Sequence, residues 1–149
     1  MNDRYLSRGK REDNGEWVEG YYSRLPHQFS GFLKDHIVVS SYDIESETGI
    51  CNAYPVVHET IGRCTGLKDK NCRLIFEGSV LYDKESGFVG TVKFNDIIAS
   101  FVVVINDTTP TFYHWSWLNK GDVARSKNLK NTEVIGNEFD NPELLEVEE

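Results

Sequence analysis

Residues 59–78 constrain the fold of this chain more than any other stretch, because strand-like ends flank a polar turn. The first part alternates weakly and suits a β-strand, and residues 68–71 carry the charged, Asn and Asp side chains of a turn. An apolar run at 74–76 then ends at Gly78. The stretch holds no nucleophile beside a base, no phosphate-binding glycine loop and no metal cluster. It therefore predicts a folding landmark rather than an active site.

Separated motifs run along the chain. They are RGKR at 8–11, DNGEWVEG at 13–20, ETIG at 59–62, TGLKDKN at 65–71, IFEG at 75–78, EVIGN at 133–137 and NPELL at 141–145. Together they resemble the YopX family, small proteins encoded by bacteriophages and prophages. They occur in the family's order and reach from one end of the chain to the other. The resemblance implies a β-rich fold with an SH3-like barrel portion and a phage origin, and it brings no catalytic residues to carry over.

Two positions depart from the family pattern. The family usually reads Asn-Gly after the lysine of the turn and Gly-Asp before the next strand, whereas Cys72 and Ser79 occupy those places here. Glycine suits the positive φ of a tight hairpin turn. A cysteine at position 72 therefore predicts either backbone strain or a different turn.

The composition favours one globular β protein or two very small domains. With 149 residues the chain is long enough to bury a core, and eight Phe, seven Tyr and three Trp favour strands over helix bundles. The formal net charge of -8 disfavours nucleic acid as a partner without excluding it, because a phosphate-binding surface is normally basic. Residues 4–11 are basic; a solvated terminus is the favoured interpretation, and contact with phosphate is the alternative.

Cysteine usage and hydropathy indicate the compartment. Cys51, Cys64 and Cys72 lack the close pairs that zinc sites favour, so we expect reduced thiols and no metal or other cofactor. The start of the chain has no signal peptide, and the apolar run 97–105 is too short to cross a bilayer. The sequence predicts an intracellular protein that does not enter membranes, and the family resemblance implies that the compartment is the cytoplasm of a bacterial host cell.

Turn residues divide the chain into short strands. A β-hairpin is expected around residues 13–15, with its second strand at 16–22, and further strands are expected at 36–42 and 56–64 with an exposed loop at 43–49. The second half predicts strands at 80–83, 87–94, 97–105, 112–118 and 133–137. The Asn-Pro pair at 141–142 predicts a capped short helix from Pro142 to Glu146.

The predicted fold class is mainly β. An N-terminal β-meander region at 1–66 precedes a C-terminal SH3-like barrel portion at 67–149, with the short helix at its end. The two portions are either separate or packed as one unit. Exposed strand edges also allow a homo-oligomer.

The aromatic run 112–118 is the candidate interaction surface. On a strand, Tyr113, Trp115 and Trp117 share one face, and such a ladder can stack bases or bind a peptide. Burial in the core is the favoured alternative, because large aromatic residues dominate core packing.

Three functional interpretations follow. The favoured one is a non-catalytic binding or adaptor module that engages an unidentified host or phage protein. The alternative is an acidic inhibitor or nucleic-acid mimic acting on a host protein, which the net charge of -8 and the acidic end at 143–149 suggest. An enzyme is disfavoured; its candidates are Cys64 or Cys72 with a carboxylate and one of the four histidines, namely His27, His36, His58 and His114.

Overall fold

The computed structural model describes residues 3–43, 45–105, 111–114 and 129–146. Within these ranges the protein is mainly β, with two antiparallel sheets, three short 3-10 helices and no α-helix. The mainly β prediction is confirmed. The chain forms two compact units, residues 1–63 and 64–149.

Eleven strands are described. They are β1 (Ser7–Lys10), β2 (Trp17–Pro26), β3 (Leu33–Asp43), β4 (Thr48–Pro55), β5 (Gly62–Lys68), β6 (Leu74–Phe76), β7 (Ser79–Asp83), β8 (Val89–Asn95), β9 (Ser100–Ile105), β10 (Thr111–His114) and β11 (Thr132–Asn137). The strand orders are β4-β3-β2-β1-β5-β6 in one sheet and β10-β9-β8-β7-β11 in the other. The 3-10 helices are Asp3–Tyr5, His58–Thr60 and Pro142–Leu145.

The predicted N-terminal hairpin is confirmed, and its first strand lies in the basic segment. Lys10 on β1 pairs with Trp17 on β2, and the turn between them places Gly15 at φ 71°. The expectation of a solvated terminus at 4–11 is wrong for β1, which lies between β2 and β5 in the sheet. Its residues alternate between buried (Ser7 and Gly9) and half-buried (Arg8 and Lys10), which is the period of a strand.

Strands β2, β3 and β4 form a long meander in the first unit. A Cβ at position 20 would lie 2.3 Å from the carbonyl oxygen of Val38, so glycine is required where β2 approaches β3. The sequence placed an exposed loop at 43–49, whereas β3 runs to Asp43 and β4 begins at Thr48. Strand β4 was not predicted, because almost all its residues are exposed and its sequence does not alternate between apolar and polar residues.

The strand predicted at 56–64 is confirmed only from Gly62 onward, because a 3-10 turn at His58–Thr60 interrupts it. The hydroxyl of Thr60 donates to the carbonyl of Val57 at 2.7 Å and accepts the amide of Lys10 at 2.9 Å. Just before this turn, Val56 forms an isolated antiparallel bridge with Arg11. The end of β4 is thereby tied to the end of β1, and the next strand begins only at Gly62.

The turn between β5 and β6 is organised by a buried carboxylate in the second unit. Asp69 is fully buried, and its Oδ1 accepts the amides of Asn71 and Arg73, each at 2.9 Å. Its Oδ2 accepts the amide of Val134 on β11 at 3.0 Å. Cys72 follows with φ 62°, so the cysteine does occupy the left-handed conformation that glycine favours. The folding landmark predicted at residues 59–78 is therefore a turn whose buried carboxylate is hydrogen-bonded to β11.

The core of the second unit lies on its five-stranded sheet. Its buried members are Ile75, Leu81, Val92, Val103, Leu129 and Val134. The adjacent Val102 and Val103 of β9 are both buried, as the continuous apolar run predicted. That run does not begin at Ile97, however, because the side chain of Asn95 accepts the amides of Ile97 and Ile98 and holds them in a turn. Ile97 is consequently 94% exposed.

The end of the second unit differs in detail from the prediction. The SH3-like barrel portion predicted at 67–149 is not seen as a closed barrel, because the described strands of this sheet end at two edges, β10 and β11. The expected C-terminal helix is a four-residue 3-10 helix, Pro142–Leu145. Asn141 makes no capping bond from its side chain, because its Oδ1 instead accepts the amide of Asn137 at 3.3 Å. A single 3-10 turn is what so short an acidic segment supports.

Candidate functional site

Among the described residues of the first unit, the most exposed phenylalanines lie at the tip of the β2–β3 hairpin, residues 27–33. Phe29 is 85% exposed, Phe32 is 78% exposed and Leu33 is 55% exposed. Burial of a large apolar side chain contributes roughly 1.5–3 kcal/mol to the stability of a fold or a complex. Burial of these two phenylalanines against a partner would therefore stabilise a complex substantially. Large exposed apolar patches mark interaction surfaces, and three exposed apolar side chains on one short turn make the tip a candidate for one. We call residues 27–33 the hairpin tip.

Local hydrogen bonds define the shape of the hairpin tip. The amide of His27 donates to the carbonyl of Phe32 at 2.8 Å, and the amide of Gly31 donates back to the carbonyl of His27 at 2.9 Å. Gly31 has φ 70°, which glycine adopts without strain. The rings of His27 and Phe29 lie 5.7 Å apart at 56°. The tip thus presents its aromatic side chains from a hydrogen-bonded turn.

A second constellation on the first unit surrounds one carboxylate. The hydroxyl of Tyr22 donates to Oδ1 of Asp35 at 2.6 Å, and Nδ1 of His58 lies 2.8 Å from Oδ2. Arg24 adds a longer ion pair at 3.7 Å. Strands β2 and β3 position Tyr22, Arg24 and Asp35, and the 3-10 turn positions His58. We call these four residues the Asp35 cluster.

Hydrogen bonds shift the acidities in the Asp35 cluster. The Tyr22 hydroxyl, with the imidazole of His58 and the charge of Arg24, lowers the pKa of Asp35 against the opposing effect of burial. The hydrogen bond to Asp35 in turn raises the pKa of Tyr22, and burial adds to that rise. Asp35 is therefore an ionised acceptor at neutral pH, and Tyr22 is its neutral donor.

The Asp35 cluster resembles the carboxylate–histidine pairs of general-base catalysis, but its surroundings differ. A carboxylate at Nδ1 orients the imidazole and leaves Nε2 outward. The side chain of His58 is 75% exposed, so bulk water surrounds the group that would act on a substrate. Catalytic sites exclude water to strengthen their electrostatics. The geometry supports an ordered surface patch better than a reaction centre.

The basic segment near the start of the chain contacts aromatic rings. Arg8 lies 4.9 Å and Lys10 5.8 Å from the ring centroid of Trp17, and Arg11 lies 4.4 Å from that of Tyr54. Cations over aromatic faces are attracted by the ring quadrupole. These cations are held on their own sheet, and contact with phosphate stays a prediction.

The predicted interaction surface lies largely outside the described residues. Tyr113 falls in β10, where it pairs with Val103 of β9. Trp115 and Trp117 are not among the described residues. The role of this aromatic run stays a prediction.

The cysteines and histidines proposed for thiol chemistry occupy separate settings. Cys64 is buried in β5, and Cys72 is exposed in the turn that follows. Nδ1 of His36 lies 2.8 Å from the carbonyl oxygen of Lys34, and His58 belongs to the Asp35 cluster. Among the described residues no group of three or more His, Cys, Asp or Glu could hold a metal ion. None of the helices described is long and apolar enough to span a membrane.

Sequence reasoning missed both the hairpin tip and the Asp35 cluster. The tip had a usable signal, because aromatic residues flank a Ser-Gly pair between two β-compatible runs. The cluster had none, since 23 positions separate Asp35 from His58 and only the strand register brings them together.

Comparisons with known proteins agree with this architecture. The family model described as "YopX protein" matches residues 8–146. The solved structure of protein EF1440 from Enterococcus faecalis is similar, with a TM-score of 0.52 and 21% sequence identity over 94% of this chain and 96% of that one. At that identity the likeness concerns the fold alone. Curated proteins gave no match. The family resemblance of the sequence is thus confirmed, and the chain belongs to the YopX family.

Proposed function

We propose that this YopX family protein is a non-catalytic binding or adaptor module that uses the hairpin tip to dock on another protein. The observation that carries the proposal is the exposure of Phe29 and Phe32, at 85% and 78%, from a hydrogen-bonded turn. Aromatic side chains are enriched at interface hot spots, where they fill pockets of the partner. The partner is a host or phage protein in the cytoplasm of a bacterial cell, and the chain itself is encoded by a phage or prophage.

The long β2–β3 hairpin suits such a role. Six consecutive pairs, from Tyr21 with Val38 to Pro26 with Leu33, place the tip at the far end of a regular ladder. A turn fixed by its own hydrogen bonds loses little conformational freedom on docking, which favours affinity. The partner we expect therefore has an apolar pocket wide enough for one or two phenyl rings.

The test compares capture from a bacterial host lysate by three proteins. They are the wild type, a variant with Phe29→Ser and Phe32→Ser, and a control with Ile97→Ser and Ile98→Ser. The control removes exposed apolar side chains from the second unit, where Ile97 and Ile98 are 94% and 54% exposed. Each protein is first shown to fold by circular dichroism.

Support requires a partner that the wild type and the control retain and the tip variant loses. That partner, once purified, must bind the wild type saturably in a titration. Equal capture by all three folded proteins would overturn the role of the tip. A variant with Tyr113→Ala, Trp115→Ala and Trp117→Ala, included in parallel, tests the aromatic run as the surface instead.

A second candidate is an acidic inhibitor or nucleic-acid mimic acting on a host protein. It is favoured by exposed acidic side chains near the end of the chain, at Asp140, Glu143 and Glu146. Such a partner would be bound electrostatically, and raised salt would weaken the complex steeply. Docking through the hairpin tip is apolar and keeps its affinity in salt. A salt titration of the captured complex distinguishes the two candidates.

A further inference from the structure

Strand β4 is one of the two edge strands of its sheet, and its ladder is regular. It pairs with β3 at eight consecutive positions, from His36 with Pro55 to Asp43 with Thr48, without a register shift. Its first six residues are all exposed, and Ile50 at 59% is the largest apolar side chain among them. A strand of this kind presents a row of backbone amides and carbonyls ready to pair.

The usual protections of an edge strand are missing from β4. Natural edges carry charged side chains, proline or a bulge that prevent pairing with another chain. No residue of Thr48–Pro55 is charged, and its only proline is the last residue. Strand β11, an edge of the other sheet, shows the contrast, because the amide of Lys70 donates to the carbonyl of Thr132 and Asp69 accepts the amide of Val134. The turn of residues 69–73 thus covers the β11 edge.

Backbone hydrogen bonds within the first unit cover the end of β4 at Pro55. The amide of Glu12 donates to the carbonyl of Pro55 at 3.0 Å, and the amide of Val57 donates to the carbonyl of Lys10 at 2.9 Å. Among the residues that the structure describes, none makes such a backbone bond to residues 48–54 on the outer side of the strand. This segment is the free edge.

We propose that the free edge pairs antiparallel with the free edge of a second copy of this chain, around a two-fold axis. The occupant follows from the chemistry of the strand. A charged peptide would find no opposite charge on residues 48–54, whereas an uncharged strand matches itself and satisfies every outward backbone group on both sides. Two-fold association of identical patches is also the commonest form of homo-oligomer.

Symmetry fixes the register. When identical strands pair antiparallel around a two-fold axis, the residue at the axis lies opposite its own counterpart. Residue 51 is the centre of the free edge, so the pairing with the greatest overlap sets Cys51 opposite Cys51 of the second copy. Ile50 then faces Asn52, and both ends of the free edge are used.

In that register the two Cys51 residues come close enough to form a disulfide. Directly opposed residues of an antiparallel pair have Cα atoms about 4.5–5.5 Å apart, within the range that a disulfide spans. Cys51 is a free, exposed thiol. The paired segment is ~24 Å long, which is a small contact, so we expect a dimer that forms with rising protein concentration rather than an obligate one.

The first test is sedimentation equilibrium across a wide concentration range. The wild type is expected to move from monomer to dimer. Cys51→Lys places two like charges opposite each other at the axis and is expected to abolish the dimer. Ile97→Lys adds the same charge at an exposed site of the second unit and is expected to retain it. A wild type that stays monomeric, or a Cys51→Lys variant that dimerises equally, overturns the proposal.

The second test reads the register through the thiols. Cys72→Ser leaves Cys51 as the exposed thiol, and Cys51→Ser leaves Cys72. With diamide, which takes up the two electrons and two protons of disulfide formation, Cys72→Ser is expected to give a covalent dimer and Cys51→Ser is not. Equal crosslinking of the two variants, or none in either, overturns the register. The tip variant Phe29→Ser with Phe32→Ser is expected to crosslink like the wild type, which separates this proposal from the function above.

Discussion

Tyr22 and Asp35 join neighbouring strands by a 2.6 Å hydrogen bond on one face of the first unit. Tyr22 pairs with Ile37, so Asp35 lies diagonally across from it, two positions along β3. The carboxylate is shared with His58, which belongs to a turn after β4. One side chain thereby connects β2, β3 and the 3-10 turn.

Removal of the Tyr22 hydroxyl tests the strength of this connection. Tyr22→Phe keeps the ring and deletes the donor, and we expect the free energy of unfolding to fall by about 1 kcal/mol. The loss is moderate because His58 and Arg24 still face the carboxylate. Urea unfolding measures it, with Tyr5→Phe as a control at a tyrosine that is 73% exposed. Equal effects of the two substitutions would contradict a specific role for the bond.

The pH dependence of stability tests the lowered pKa of Asp35. The folded pKa lies below the unfolded value of about 3.9, so the unfolded chain binds the extra proton in acid. The stabilisation is complete above the unfolded pKa and is lost as pH falls through the folded pKa. We expect Asp35→Asn to melt at a lower temperature than the wild type at neutral pH and to show a smaller further loss in acid. Calorimetry at several pH values checks this, and parallel pH curves for both proteins would refute it.

Asp69 supplies a prediction on the second unit. Its carboxylate accepts three backbone amides while fully buried. Asp69→Ala leaves these amides without their acceptor, and we expect a loss of about 3 kcal/mol or more in the free energy of unfolding.

The matched variant is Asp69→Asn. It keeps an oxygen for Asn71 and Arg73 but turns an NH2 group toward the amide of Val134. Its loss should be smaller than that of the alanine variant and larger than zero. Denaturant unfolding ranks the three proteins, and an alanine variant as stable as the wild type would contradict the anchoring role.

Cys72 offers a test of backbone strain. Its φ of 62° is the left-handed conformation, which costs roughly 1–2 kcal/mol for a residue with a Cβ. Cys72→Gly removes that cost but adds freedom to the unfolded chain, whereas Cys72→Ala keeps the Cβ and the cost. Because both variants lack the thiol, we expect the glycine variant to be more stable than the alanine variant by about 0.5–1 kcal/mol. The midpoint of urea unfolding distinguishes them, and a less stable glycine variant would argue against strain at this position.

The parts of the fold that sequence could predict are those with local chemical cues. Asp13-Asn14-Gly15 marked the first hairpin, and the polar residues after Lys68 marked the turn before β6. At Cys72 the sequence left backbone strain and a different turn as alternatives, and the φ of 62° identifies the strained left-handed conformation.

Other parts depend on contacts that no local pattern records. Strand β4 is defined by its ladder with β3 rather than by apolar alternation. The sequence predicts a strand that begins at Ile97, but the side-chain oxygen of Asn95 accepts the amide of Ile97 and holds it in a turn. The most distant partners of Asp35 and Asp69 lie 23 and 65 positions away, so only the fold shows that these residues meet.

The hydrogen bond from Val134 to Asp69 also bears on how the chain is made. Contacts between residues distant in sequence are formed late and slow folding, because a long loop must close before they contribute. The turn after β5 leaves the ribosome early, but its buried carboxylate has no third amide until residue 134 has been synthesised. The ladders among β1 to β4 need nothing beyond residue 55. Synthesis from the N-terminus therefore completes those ladders while the second unit still awaits its final strand.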